Sequence, residues 1–476
     1  MDDCISELPD EILSCILTML SIKDLLKTSV LSRRWFKLWG LRRDLYFDIH
    51  NVLGTEKELL QTGHLIDVTD VYSRTLKCVN LDLSPKEFIK RVDQFLNNFP
   101  GTTIDSFFVN FYFDCEQSNT IDQWISFAIA KGVERMDLLF LGKPYAKRTT
   151  QYKLYKFDFG LFSKTNASTL KHLCLENFLV CYPTNCDLTP FKHLRSLSLL
   201  NGKVDEIFIE NLLSNCQLLE ELSLVHCEFK SSVPKIISSS LCHLNVSNCY
   251  KVPPNNCFTS LKLMLVDCLK LTSLVCPGND LSNLNINSHA LKRINFCIDE
   301  YFDASALCET FPELEIMHLG IVSMGTPFLK IAQPLKHLTQ LDCIYVSDIT
   351  IEECGLMLIL NILRASPHLQ KLSIMIAYPY LFKNHKDIGD VEVFSHDEVK
   401  IIELGGCVGN WYEIEFVMNI LKYAHNLEQI VLSPYWRDDD SLDWKSNPTW
   451  FQSGREKISE KLQGEEIIGR EKLVLL

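Results

Sequence analysis

The glycine cluster Gly405-Gly406-Cys407-Val408-Gly409 is the first place where residue types could do chemistry, because closely spaced glycines can cradle a phosphate. No Lys-Ser or Lys-Thr pair follows it, and the spacing is not that of a dinucleotide loop, so it reads as a turn. Neither G-x-S-x-G nor H-E-x-x-H occurs. The thirteen histidines are scattered singly, among them His172, His193, His226, His243, His318 and His337. His226-Cys227, and His243 with Cys249, bring metal-binding side chains near one another, but the spacings fit no zinc pattern. A nucleophilic thiol needs an electropositive, partly exposed setting. The nineteen cysteines instead sit singly, with Cys174, Cys227, Cys242, Cys249 and Cys268 inside apolar, strand-like runs. A free cysteine there acts as a small buried hydrophobe. No catalytic residue, metal ligand or cofactor is expected, and the chain is not expected to be an enzyme in its own right.

Composition narrows the rest. At 476 residues the chain exceeds one ordinary compact core, so it is either several domains or an elongated repeat. An apolar content of 47% excludes a mainly disordered chain. A net charge of −13 argues against nucleic-acid binding, which needs a concentrated basic face. Arg33-Arg34, Arg42-Arg43 and Lys147-Arg148 are too short to reverse that and read as solvated surface. The start Met-Asp-Asp lacks the basic region of a signal peptide, and no apolar run approaches a membrane span, so no membrane partner is expected. An odd number of cysteines without a CxxC pair fits a reducing compartment, hence the nucleus and/or cytoplasm. The sequons at Asn166 and Asn245 are then chance matches.

The elements come next. Leu8-Pro9 opens a helical pattern in which Ile12, Leu13, Ile16, Leu17 and Leu20 recur at helical spacing. Leu25, Leu26, Val30 and Leu31 follow, and Ser32 is an N-cap candidate for a third short helix with Trp35, Leu38 and Trp39. A segment of about 45 residues cannot bury so many large side chains against itself. The surplus needs cover, either from the chain behind it or from another protein. A further helix is predicted over Lys86–Asn98, opened by Ser84-Pro85 and closed by Pro100-Gly101.

Behind it, L-x-x-L-x-L segments repeat. They start at Ile104, Val133, Leu170, Leu194, Leu219, Leu241, Leu261, Leu291, Leu314, Leu369, Val399 and Leu427, with weaker copies at Leu281 and Leu338. The starts at 170, 194, 219, 241 and 261 lie 24, 25, 22 and 20 residues apart, inside the leucine-rich-repeat window. Helical patterns over 123–131, 207–219 and 351–365 stand between strands. Strand then helix at a near-fixed period predicts an α/β fold, a curved leucine-rich-repeat solenoid with parallel strands. The x positions flanking the core leucines point outward, among them His172, Arg195, Ser198, Glu221, Ser223, His243, Asn245 and Lys292. These are the candidate substrate-binding residues. Residues 396–436 read as strand, glycine-rich turn, helix from about Tyr412 to Ala424, then strand. A short helix over 455–462 and an apolar Leu473–Leu476 follow.

Two of these stretches carry resemblances. Ile5–Asp48, through ISELPDEIL, ILTMLSIKDLLKTSVLSRRW and Leu38-Trp39, resembles an F-box in its plant form, although Met19 and Ser21 stand where a small residue and a proline are common. Residues 396–436, with Glu413, Glu415, Phe416, Val417, Leu421 and Asn426-Leu427-Glu428, resemble the FBD module at the C-terminal end of many plant F-box/LRR proteins. The resemblance implies five parts: an F-box over 1–48 as a three-helix bundle, a connecting helical region over 49–103, leucine-rich repeats over 104–395, an FBD module over 396–436 that continues the solenoid as a strand-helix-strand cap, and a C-terminal tail over 437–476. It implies a substrate receptor of an SCF-type cullin-RING ubiquitin ligase. Such a receptor docks a Skp-type adaptor, and through it a cullin, and acts by holding a target protein near the charged enzyme. Carried onto this sequence, the adaptor-facing residues are Leu8, Pro9, Ile12, Ile16, Leu17, Leu25, Leu26, Val30, Leu31 and Trp35. Leu13, Leu20 and Leu38 are expected to pack inside. A non-ligase scaffold and a small-ligand receptor remain as alternatives, and the target itself is not encoded in any motif.

Overall fold

The computed structural model describes residues 7–28, 39–54, 65–66, 78–79, 84–140, 154–163, 169–181, 188–229, 235–251, 259–260, 264–277, 284–298, 302–303, 310–322, 329–330, 334–346, 356–382, 395–437, 444–463 and 469–476. They form two compact units: Met1–Leu241 with Cys249–Thr259, and Cys242–Asn248 with Ser260–Leu476.

In the first unit the helices Asp10–Thr18 and Ile22–Thr28 precede a parallel ladder. Its strands, in order, are Asp44–Asp48, Ser106–Phe111, Arg135–Phe140, His172–Glu176, Ser196–Leu200 and Glu221–Val225. Alternation decides which side chains face the core. In Asp44–Asp48, Leu45 and Phe47 point in while Asp44 and Tyr46 point out, the period-2 signature of a half-buried strand. This first strand lies inside the stretch read as F-box, and the sequence analysis did not anticipate it. Helices Ser84–Asn98, Ser118–Ala130 and Glu206–Asn215 stand between strands, each starting near its predicted place. A second parallel ladder, also not anticipated, joins Tyr155–Asp158, Phe178–Cys181, Lys203–Val204, Glu228–Phe229 and Tyr250–Lys251.

The core of the first unit is aromatic. Trp39 stacks on Phe95 at 5.8 Å, Phe47 lies 5.7 Å from Phe95, and Phe88 stacks on Phe111 at 4.1 Å. The contacts continue through Phe113, Phe140, Tyr155, Phe157 and Phe159 to Phe191 and Phe208. Such ring pairs contribute about 0.5–1.5 kcal/mol each beyond area burial. The polar ends are satisfied: Trp124 Nε1 donates to Asp93 at 2.7 Å and Tyr155 Oη to Asp122 at 2.5 Å.

The second unit carries a parallel ladder in the order His243–Ser247, Ser273–Cys276, Arg293–Ile298, Ile316–Val322, Gln340–Val346, Lys371–Ala377, Ile401–Gly405, Gln429–Ser433 and Leu473–Leu475. Three sequence readings are corrected here. The copy begun at Leu261 does not enter this ladder, because Met264–Asp267 pairs instead with Leu284–Asn287, the strand of the weak Leu281 copy. The ladder strand is supplied by Leu271, Leu274 and Cys276, where a cysteine replaces the last leucine. The copy at Leu338, read as weak, forms a full strand, Gln340–Val346, paired along its length on both sides. The segment read as a tail holds the expected helix, Arg455–Gln463, but its final residues form strand Leu473–Leu475, which joins the ladder by pairing with Ile430–Leu432. Leu261 and Leu281 themselves, the third N-terminal helix and Lys147-Arg148 lie outside the described residues.

One turn recurs where strands end. The residue just past the strand is left-handed at Asn177, Asn201, His226, Asn248 and Tyr378, with φ between 51° and 54°, and Gly406 takes the same role at φ 74°. Asparagine and glycine suit this region; other residues lose about 1–2 kcal/mol there. The cysteines that follow have a structural task. Cys227 and Cys249, both buried, donate Sγ–H to the carbonyls of Leu199 and Leu224, each at 3.2 Å, and Cys407 donates to Leu404 at 3.4 Å.

Candidate adaptor-docking and target surfaces

The first helix, Asp10–Thr18, carries Asp10, Glu11, Ser14 and Thr18 on one side and a wide apolar arc on the rest, and the fold divides that arc. Leu13 and Leu17 are buried, whereas Ile12 is 48% exposed, Ile16 36% and Met19, just past the helix, 86%. Pro9 and Cys15 are exposed and Leu8 is half-buried. Leu8, Ile12, Cys15, Ile16 and Met19 recur at three- and four-residue spacing, so they form one apolar stripe facing solvent. An apolar stripe of this kind on an otherwise anchored helix marks an interaction surface.

The opposite face is anchored firmly. Asn51, on helix Ile49–Leu53, accepts from Ile22 N–H at 2.7 Å and donates to the Tyr46 carbonyl at 2.6 Å. Its own N–H is capped by Asp48 at 2.7 Å. Arg42 is buried and donates to the carbonyls of Asp44 at 3.0 Å and Leu20 at 3.3 Å. Burial holds its guanidinium below the usual arginine value, with Asp44 opposing that shift. The buried Trp39 donates its Nε1–H to Thr28 at 3.4 Å. The chain behind therefore covers only part of the surplus apolar surface: Leu13 and Leu17 are buried, and the Ile12/Ile16/Met19 side stays open.

Of the expected adaptor-facing residues, Pro9, Ile12 and Ile16 are on the open face, with Leu8 at its margin. Leu17 and Leu25 are corrected: both are fully inside the chain, packed against the elements that anchor the helices. Leu20, expected inside, is half-buried. The side chain of Leu26, and residues Val30, Leu31, Trp35 and Leu38, lie outside the described residues. Met19 and Cys15 were missed. They continue the Ile12/Ile16 spacing, which is the signal that could have found them.

On the strand face, all the substrate-binding candidates reach solvent. In the first unit His172 pairs in register with Arg135 and Ser196, Ser196 with Glu221, and Ser198 with Ser223, so these share one face. Arg195, just ahead of its strand, is spent on an ion pair with Glu220 at 2.7 Å. In the second unit Lys292 pairs the same way with Glu315 at 2.7 Å, and Asn245 accepts from Ser247. Lys171–Glu134 and Lys400–Glu428 repeat this pairing between neighbouring strands, each worth at most about 1 kcal/mol at the surface.

A richer polar row was missed. His318, Asp342, Ser373 and Glu403 are neighbours in register on the open face of the second unit. His318 Nδ1 lies 3.1 Å from Asp342, Gln340 donates to Asp342 at 2.8 Å, and Ser373 donates to Glu403 at 2.8 Å. Burial raises the Asp342 carboxyl, but hydrogen bonds from His318 and Gln340 outweigh it and hold the group below the usual carboxylate value. Ser373 bonds to carboxylates rather than to the imidazole, so the row has no activated hydroxyl. These residues occupy the same x positions as Ser198 and Ser223.

The glycine cluster is a nest for an internal anion. Glu413, fully buried in the first turn of helix Trp411–Tyr423, accepts from Gly409 N–H at 2.8 Å, from Val408 N–H at 3.2 Å and from Asn410 Nδ2 at 3.3 Å. Burial pushes its carboxyl up to about 7 against these donors. Several of the described thiols are held away from the reactive thiolate. Burial pushes Cys216 and Cys276 up to about 12, and Cys174 likewise with Asp137 and Glu176 adding to the shift. Among the described residues no group of three His, Cys, Asp or Glu side chains could hold a metal, and no helix is long and apolar enough to cross a membrane.

Comparison with known proteins agrees with this architecture. The F-box domain matches residues 5–45, and the LRR domain of the At1g61320/AtMIF1 type matches residues 95–470. The F-box/FBD/LRR-repeat protein At1g13570 of Arabidopsis thaliana is 25% identical over 457 residues, covering 92% of this chain and 93% of its own length. The putative F-box/LRR-repeat protein At3g44810 of the same plant is 24% identical over 443 residues, covering 87% and 88%. A crystallised internalin of Listeria monocytogenes aligns over 65% of this chain and 76% of its own at 13% identity, with a TM-score of 0.28, too low to bear on the fold. With an F-box at its N-terminal end and the At1g61320/AtMIF1-type LRR domain over most of its length, the chain belongs to the plant F-box/LRR-repeat family, the one whose members include F-box/FBD/LRR-repeat proteins.

Proposed function

We propose that this protein is the target-recognition subunit of an SCF-type cullin-RING ubiquitin ligase. The open stripe of the first helix docks a Skp-type adaptor, the adaptor connects to a cullin, and the strand faces of the repeats hold the target protein. The observation that carries this reading is the division of the first helix: Ile12, Ile16 and Met19 face water while Leu13 and Leu17 lock the other side to the chain. A partner that covers the stripe is held at a fixed orientation to the first strands, through Arg42, Trp39 and Asn51. The contribution to ubiquitin transfer is then effective concentration and orientation, with the chemistry supplied by enzymes recruited on the cullin. Such a complex works in the nucleus and/or cytoplasm.

Immunoprecipitation of the full chain, probed for the Skp-type adaptor and cullin, tests this. Ile12→Asp with Ile16→Asp, and separately Leu8→Ala with Pro9→Ala, are expected to abolish adaptor capture with circular dichroism unchanged. Each anchor contributes on the order of 1–3 kcal/mol of binding. Undiminished capture by these variants sinks the assignment. Adaptor without cullin in the wild-type precipitate makes the protein a non-ligase scaffold.

A further inference from the structure

The open side of the second unit's ladder has two unlike ends. At one, His318 is joined to Asp342, and Ser373 and Lys371 both reach Glu403, at 2.8 Å and 3.1 Å. At the other, the polar side chains have donors to offer and nothing to receive them. His243, Ser273 and Arg293 are neighbours in register on three successive strands, and Asn295 follows two residues after Arg293. Leu244, Leu274 and Ile294 are buried, whereas His243 and Arg293 are exposed and Ser273 and Asn295 half-buried, so alternation puts all four on the open face. None of the four side chains has a hydrogen-bond or ion-pair partner among the described residues.

Arg293 differs from the comparable cations. Arg135 and Lys371, the other arginine and lysine on the described ladder strands, hold Asp137 at 2.7 Å and Glu403 at 3.1 Å. The acids on the next two strands are already engaged. Glu315, just ahead of the first, is held by Lys292 at 2.7 Å, and Asp342, on the second, by His318 at 3.1 Å and Gln340 at 2.8 Å. A guanidinium with a hydroxyl, an amide and an imidazole beside it, and no acceptor of its own, is complementary to an anion.

We propose that this end of the strand face docks an acidic segment of the target protein, with one Asp or Glu carboxylate on the Arg293 guanidinium. The planar fork takes both carboxylate oxygens, and Ser273 and Asn295, roughly 5–7 Å away along the sheet, supply donors for the remaining lone pairs. His243, roughly 10 Å along the row, offers an N–H to a second carboxylate. The single permanent cation decides which anion fits. It balances a singly charged carboxylate, whereas a phosphate of about −1.5 to −2 leaves excess negative charge on a chain already at −13. This deepens the target-receptor reading and rests on it.

The test is fluorescence anisotropy at low salt with the purified full chain and a rhodamine-labelled peptide of alternating glutamate and glycine. Peptides of alternating glutamine and glycine, and of alternating phosphoserine and glycine, are the comparisons. The glutamate peptide is expected to bind more tightly than either and to lose affinity as salt is added. Arg293→Gln is expected to weaken it by about tenfold or more, and Arg293→Glu to abolish it, both with the melting temperature unchanged, because the side chain holds nothing in the fold. Absent binding, equal binding of the glutamine peptide, or unchanged affinity in the two variants overturns the proposal. Tighter binding of the phosphoserine peptide, lost in Arg293→Gln, makes this a phosphate site and overturns the carboxylate assignment. A lowered melting temperature in both variants makes Arg293 structural and overturns it too. The assay contains no adaptor, so its failure leaves adaptor capture through Ile12 and Ile16 untouched, and failure of that capture leaves the peptide result standing.

Discussion

Glu413 is a carboxylate with no cation beside it, held by Val408 and Gly409 N–H groups and the Asn410 side chain inside a dry loop. Its native pKa of about 7 lies above the ordinary 4.5, so the native state keeps the proton over a range in which the unfolded chain has lost it. The stabilisation is complete below pH 4.5, declines as pH rises, and is gone above about 7. The full swing is on the order of 3 kcal/mol at most. Thermal melts of wild type and Glu413→Gln at pH 5 and pH 8 measure it. The advantage of the wild type over the variant is expected to shrink or reverse at the higher pH, and a constant difference means that Glu413 does not titrate in that window. His396 has the opposite sense. It is buried, with Nε2 2.8 Å from the Ser366 carbonyl and Nδ1 accepting from Val399 N–H at 3.2 Å. Burial holds its imidazole below 6.5, so the neutral ring is the one that fits.

At the scale of elements, the N-terminal helices are held by hydrogen bonds to carbonyls and N–H groups, through Asn51 and Arg42. Asn51 bridges the start of helix Ile22–Thr28 and the strand Asp44–Asp48, beside Arg42, which reaches the Leu20 and Asp44 carbonyls. Asn51→Ala leaves the part-buried Ile22 N–H without its acceptor and is expected to destabilise this joint by about 1 kcal/mol or more. Hydrogen exchange should show lost protection at residues 10–28 and 44–48, with the strands of the second unit unchanged. Uniform loss across the chain means that the helices and repeats melt as one. The ladder strands themselves are parallel, so their pairing is non-local and only adjacent repeats support each other.

For the whole molecule, the ladder of the second unit runs to Leu473–Leu475, and its packing includes Leu476. Trp450, fully buried, donates its indole N–H to the Leu476 carbonyl at 2.7 Å, and Leu476 N–H reaches the Leu432 carbonyl at 3.0 Å. Deleting Leu473–Leu476 uncovers the strand Gln429–Ser433 as an edge and leaves that indole without its acceptor. An uncovered apolar edge strand templates association. A lowered melting temperature by several degrees and larger species in size-exclusion chromatography are the expected results, and a monodisperse, equally stable product would count against the strand's role.

The sequence by itself determined the class of the fold and its two ends. Leucines at near-regular intervals dictate stacked strands because each repeat can bury its apolar edge only against its neighbours. The helical spacing of Ile12, Leu13, Ile16 and Leu17 dictates a helix, and the residue order carries the F-box resemblance. Tertiary structure alone decided which face of that helix is open. The apolar arc of that helix is wider than one contact covers, and spacing does not say which part is covered: Leu13 and Leu17 went in while Ile12, Ile16 and Met19 stayed out. It also decided which L-x-x-L-x-L copy joins which sheet. Met264–Asp267 reads as well as Ser273–Cys276, and only pairing with neighbouring strands separates them. The two-residue strands such as Lys203–Val204 and Glu228–Phe229 are too short to show a period.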